Sequence, residues 1–177
     1  MEDLQVYRAR PSDLAAILPL VREFCAVDGH EYDEARVARA LAPLLAGDVH
    51  GQVWLVGVPG VADVGAAAGP AVSGAEAGVG VAARGAVGVA VCGYAVLTWG
   101  WSLESGGREA LLDEIYVRER GRGAGSLLLQ QVIAAAGRAG AFMIFLETEA
   151  HNERVRGFYA RHGFAVENSV WMRRAVN

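Results

Sequence analysis

The 177 residues fit one domain with room for a hydrophobic core. A net charge of −4 argues against broad nucleic-acid affinity and is compatible with a cationic substrate. No apolar run approaches the ~20 residues that span a bilayer, and Met1-Glu2-Asp3 lacks a signal peptide's basic start, so a cytoplasmic protein without a membrane partner is expected.

In chain order, residues 4–9 alternate and predict a first strand. Pro11-Ser12-Asp13-Leu14 starts a helix that Ile17, Leu18 and Val21 continue at helical spacing. Cys25 lies in this run and Cys92 in a later one. Each sits in an apolar context and reads as a small buried hydrophobe. A second helix begins at Asp33, with Val37, Leu41, Leu44 and Leu45 on one face. Residues 52–58 predict a second strand. From Pro59 to about Gly85 the chain is almost entirely Gly, Ala and Val, with neither period nor aromatic residue. It reads as a low-complexity insertion between strands two and three, or as a longer hairpin of Val-rich arms. Residues 86–99 predict strand three, with Gly93 as a bulge marker. A turn-like connection leads to strand four at about 109–117.

Arg120-Gly121-Arg122-Gly123-Ala124-Gly125 then joins that strand to a helix-like run at 126–136. A glycine-rich turn opening a helix exposes N–H groups without intrahelical partners, and the helix dipole adds positive charge. Such a turn can hold a phosphate, and arginine forks favour it further. It lacks the Gly-Lys-Ser/Thr ending of a P-loop, and Ser126 stands where a dinucleotide fingerprint needs its third Gly. Residues 142–148 predict a strand buried on both faces. Asn152, Tyr159, Gly163 and Phe164 follow in the spacing Asn-x-x-x-x-x-x-Tyr-x-x-x-Gly-Phe, and residues 169–174 predict a closing strand.

The turn resembles the Arg/Gln-x-x-Gly-x-Gly/Ala pyrophosphate loop of the GNAT N-acetyltransferases. The Asn/Tyr/Gly-Phe run resembles their second signature, with Val155 replacing the usual small Ala. The order strand, turn, helix, strand, Asn/Tyr helix is also theirs. The connection from Val117 to Arg120 is two residues shorter than in most members. The resemblance implies an α/β fold, with a mixed, mostly antiparallel sheet of about seven strands and helices on both faces. It implies one domain over 1–177, interrupted by the insertion at about 59–85.

It also implies an acetyl-CoA-dependent N-acetyltransferase acting on a small-molecule or peptide amine, with no metal; the His residues show no ligand spacing. A homodimer is compatible with the resemblance. Arg120, Gly121, Arg122, Gly123, Ala124, Gly125 and Ser126 would grip the cofactor's pyrophosphate. Ile115 and Val117 would offer backbone to its pantetheine arm. Asn152 would cap its helix, bond the arm, or both. Tyr159 would be the general acid at the thioester sulfur, or otherwise a packing residue. Glu114 is the preferred base over Asp113; being adjacent on a strand, they point to opposite faces. Glu104 and Trp99 are candidates for the acceptor's surroundings, against plainer readings as a solvated charge and a core ring. A domain that binds acyl-CoA without turning it over, as a sensing module, is the competing reading.

Overall fold

A computed structural model describes residues 4–59 and 88–176. The chain divides into two compact units, Met1–Leu146 and Glu147–Asn177. The expected insertion at about 59–85 lies, apart from Pro59, outside the described residues.

The first unit carries five strands: β1 (Gln5–Arg8), β2 (Gly51–Pro59), β3 (Val89–Ser102), β4 (Gly107–Val117) and β5 (Met143–Leu146). They form one sheet in the order β1-β2-β3-β4-β5. The first four pair antiparallel and β5 runs parallel to β4. Three helices belong to this unit: α1 (Leu14–Asp28), α2 (Glu34–Ala46) and α3 (Ala124–Arg138). A 3-10 turn at Pro11–Asp13 leads into α1, where the Asp13 carboxylate accepts from the Arg10 amide at 2.9 Å. Asp33 caps α2 through the Arg36 amide at 3.0 Å; such a cap satisfies one of the donors a helix start leaves orphaned.

Successive strand residues face opposite sides, so β2 and β3 each feed two layers. Val53, Leu55, Tyr94 and Val96 join Ile17, Leu20, Val21, Leu41 and Leu45 in a core beneath α1 and α2. Trp54, Ala95 and Leu97 face the other way, where Leu128, Leu129 and Val132 of α3 are buried. A sheet covered on both faces needs apolar residues at consecutive positions, as in the buried run from Val53 to Val56. Gly93 is required by crowding: a Cβ there would stand 2.6 Å from the Tyr116 carbonyl oxygen. The bulge in β3 falls one residue earlier, at Cys92, since Val56 pairs Gly93 and Gly57 pairs Val91.

The second unit holds one helix, α4 (Glu153–Arg161). The sheet therefore has five strands among the described residues rather than about seven. The segment expected as a closing strand, 169–174, joins no ladder, and Val170, Trp171 and Met172 are exposed by 87%, 68% and 92%. A β-favouring composition makes a strand only where a neighbour takes up its backbone groups. No described helix is long and apolar enough to cross a membrane.

The β2–β3 ladder runs to its last pair, Pro59 opposite Val89. The two chain ends that border the insertion are thus already hydrogen-bonding neighbours, a gap a tight turn can close. Replacing residues 60–87 with a short Gly/Ser turn is expected to leave the melting temperature and coenzyme A affinity nearly intact. Differential scanning fluorimetry and calorimetry check this; loss of soluble folded protein would show that the segment supports the fold.

Candidate functional site

β4 pairs with β3 along its whole length, but with β5 only from Glu109 to Leu112. Beyond Leu112 no ladder among the described residues takes up the β5-side edge of β4. The change coincides with a bulge. Leu112 pairs Leu97 and Glu114 pairs Val96, which leaves Asp113 as the extra residue. A bulge bends its strand and strengthens the local twist. The outcome is a stretch, Asp113 to Val117, whose outward N–H and C=O groups can pair with an extended, amide-bearing ligand. Ile115 and Val117 both lie on it.

The strand leads into the glycine turn. Gly121 and Gly123 have φ of 87° and 83°, the left-handed region that glycine enters without strain. Nothing stands within 4 Å of a Cβ built on either, so their approach side is open. α3 starts at Ala124, two residues before the start expected from sequence. Gly123 is its N-cap, with no side-chain cap, and the Leu127 amide makes the first helical bond to the Gly123 carbonyl. The first-turn amides of Ala124 and Gly125 therefore lack intrahelical acceptors, and the helix dipole points its positive end at the same place.

The arginines around the turn differ in what they touch. Arg122 pairs with Glu119 at 2.9 Å, a carboxylate that competes with any anion in the turn. Arg120 is exposed and has no ion pair among the described residues. Arg118 is committed elsewhere: its fork binds Glu23 of α1 at 2.8 and 2.9 Å, and its backbone amide bonds the Cys92 carbonyl. It fastens the end of β4 to α1.

Glu114 faces the α1 and α2 side. The buried Tyr94 hydroxyl donates to its Oε2 at 2.6 Å. Burial pushes the Glu114 carboxyl above the ordinary range. The Tyr94 bond and His30 oppose that shift, while Asp113 and Asp28 add to it. Burial and the Glu114 charge push the Tyr94 phenol far upward, so it stays a donor. Cys25 of α1 feels Glu114 as well, its thiol raised by burial and then by that carboxylate. His30 was not a site candidate from sequence. It follows Gly29, the left-handed C-cap that ends α1 with φ of 73°, and its charge acts on Glu114. Asp113 is exposed, although partial desolvation still raises its carboxyl.

In the second unit, the Asn152 side chain accepts from the Val155 amide at 3.2 Å and caps α4. Of its two expected roles, capping is the one the geometry displays. Tyr159 is 8% exposed, with Phe158 and Phe164 edge-on at 5.3 and 5.5 Å. Burial pushes its phenol up to about 12, so it is fully protonated at neutral pH. No hydrogen bond to its hydroxyl is found among the described residues. Gly163, with φ of 89°, turns the chain after α4 so that the Phe164 amide reaches the Tyr159 carbonyl.

Two candidates in the first unit lie apart from the open edge of β4. Glu104 sits in the β3–β4 turn beyond Gly107, and seven strand residues from Gly107 to Glu114 span roughly 23 Å at the usual rise. Trp99 pairs Ala110, on the far side of the bulge from Glu114. Its indole N–H bonds the Asp48 carbonyl at 2.8 Å, and Arg108 stacks on its ring. Neither borders the open edge of β4. Among the described residues, no group of three or more His, Cys, Asp or Glu is placed to hold a metal ion.

The family model described as "Acetyltransferase (GNAT) family" matches residues 71–164, just over half of the chain. No curated protein matches significantly. Among solved structures, an integron cassette protein from the mobile metagenome of Cole Harbour Salt Marsh is 26% identical, with a TM-score of 0.71; the match covers 98% of this chain and 91% of that one. A ribosomal-protein-alanine N-acetyltransferase from Brucella melitensis shares the fold at 15% identity and a TM-score of 0.65, covering 98% and 99%. So does an aminoglycoside acetyltransferase from an uncultured soil metagenomic sample, solved with sisomicin, at 14% identity and a TM-score of 0.66, covering 98% and 97%.

The pairing of Arg122 with Glu119 sets a signed expectation. Glu119→Gln removes the competing carboxylate and is expected to tighten coenzyme A binding by about threefold, the weight of a solvent-exposed ion pair. Arg120→Gln is expected to weaken it by a similar factor. Calorimetry at low salt checks both, since high salt screens exposed charges.

Proposed function

The chain belongs to the GNAT family of acetyltransferases, and from that premise we propose that it moves an acetyl group from acetyl-CoA to a primary amine by direct attack in a ternary complex. The observation that carries this reading is the continuous path from the β4 edge that no described strand pairs, through the glycine turn, to the N-terminus of α3, which has no side-chain cap. A ligand with amides at one end and a pyrophosphate at the other fits such a path. Acetyl-CoA has both and supplies an activated acetyl thioester. Arg120 to Ser126 would hold the pyrophosphate, and the backbone at Ile115 and Val117 the pantetheine amides. A β4 amide at the bulge is suited to the developing negative charge on the carbonyl oxygen.

Glu114 is the proposed base. An acceptor reaches neutral pH as an ammonium and must lose a proton before it attacks. A carboxylate raised by burial takes that proton more readily than an ordinary one. Tyr94 orients it through the 2.6 Å bond to Oε2. Tyr159 is the proposed acid that returns a proton to the departing sulfur. Asp113 is too exposed to compete with Glu114 as the base and serves through its bulge. The solved relatives named for a protein alanine and bound to an aminoglycoside use different acceptors. The acceptor here is accordingly assigned only as an amine. A screen of amines with detection of released thiol tests the activity; no turnover on any amine, with coenzyme A bound at the turn, would favour the sensing module.

Two substitutions separate chemistry from folding. Glu114→Gln should abolish the acid limb of the kcat/KM profile, a limb placed above the usual carboxylate range by burial. The sign for stability is opposite. A carboxyl whose native pKa is raised favours the protonated form, so the fold loses stability as pH rises through that value. Glu114→Gln should therefore melt no lower than the parent at neutral pH while losing roughly 10²–10⁴ in rate. Tyr159→Phe keeps the ring and its edge contacts. Turnover at saturating acetyl-CoA should fall by a similar ~10²–10⁴ with little change in coenzyme affinity; a fully active mutant would return Tyr159 to packing.

A further inference from the structure

At the other end of α3 the first unit has a cavity of about 450 Å³. Fifteen helical residues separate it from the glycine turn, roughly 22 Å at 1.5 Å each. Its size lies within the range of small-molecule sites. Arg8, Arg108 and Arg138 line it with a single carboxylate, Asp48, and with the rings of Trp54 and Trp99.

The wall groups divide into committed and available. Arg8 is committed: it pairs with Asp48 at 2.7 Å and bonds the carbonyls of Leu44, Gly47 and Val53. Both indole N–H groups are also used, Trp54 on Gln52 Oε1 at 3.0 Å and Trp99 on the Asp48 carbonyl. Only their ring faces remain. Gln52 is 9% exposed, and with Oε1 accepting from Trp54 its Nε2 has no acceptor among the described residues. Arg108 bonds the Ala139 carbonyl through Nη1 at 2.9 Å and lies over the Trp99 ring at 5.6 Å. That fixes its plane while Nε and Nη2 stay unbonded. Arg138 has no partner among the described residues.

Apart from the outer oxygen of Asp48, whose charge Arg8 offsets, every available side-chain polar group here is a donor, two of them charged, and the apolar lining is two indole rings with Ala135 and Ala139. We propose that this cavity is a second binding site, for a small organic anion borne on a flat ring. Its carboxylate or phosphate would take the forks of Arg108 and Arg138 and the Gln52 amide, and its ring would lie against Trp99. Arginine forks match both oxyanions bidentately, and a held guanidinium loses little freedom on binding.

Calorimetry on the full chain with 1-naphthoate, its neutral amide and AMP tests this, all at saturating coenzyme A so that the glycine turn is filled. At least one of the two anions should bind saturably, and which does so distinguishes carboxylate from phosphate. The amide should bind about tenfold more weakly than naphthoate if the charge is read. Arg108→Gln should weaken the bound anion by about tenfold and Arg138→Gln by about threefold. Arg108 also holds the end of α3, so Arg138→Gln, which removes no hydrogen bond or ion pair among the described residues, guards against a folding artefact. Neither anion binding, equal binding of acid and amide, or full affinity in a folded Arg138→Gln and Arg108→Gln pair would overturn the proposal.

Discussion

Strand β4 has a hydrogen-bonding neighbour on both edges up to Leu112 and on one edge beyond it. Buried backbone groups must be paired, so an edge left open in a folded chain requires water or a ligand. The bulge at Asp113 makes the change abrupt by bending the strand at the point where β5 stops following it. The first half of β4 thereby serves the sheet and the second half can serve a cofactor. Arg118, clasped by Glu23, ties the end of this second half to α1 and keeps the open edge from drifting.

The same bend bears on the surroundings of Glu114, whose carboxylate accepts from Tyr94 and acts on the Cys25 thiol of α1. There it is desolvated and held by one strong bond. Such an environment is unfavourable for stability and suited to proton abstraction. A neutral side chain of the same shape would relieve the desolvation and, in the proposed role, remove the base, the usual opposition between a stable site and an active one.

Much of this was legible in the sequence because it depends on local rules. The glycine turn and the Asn152 cap are positions where local backbone geometry dictates residue type, and each stands where the sequence placed it. What escaped were contacts between distant segments. His30, just past the end of α1, acts on Glu114 through its charge. Glu104 and Trp99 lie near the motif in sequence but some way along the hairpin from it, because antiparallel strands carry close residues apart. The Arg108 cavity draws on residues from 8 to 139, a grouping no local pattern encodes. The expected strand at 169–174 shows the limit of composition, since pairing partners make a strand and alternation alone does not.

The parallel join between β4 and β5 has a kinetic meaning. Antiparallel neighbours such as β3 and β4 meet across a short turn at residues 103–106 and can zip locally. β5 reaches β4 through the α3 crossover, a contact of greater loop-closure cost. The open edge and the glycine turn are bounded by this long-range joint. A coenzyme bound along them would hold the folded chain and not the unfolded one, and so would raise the cost of opening it.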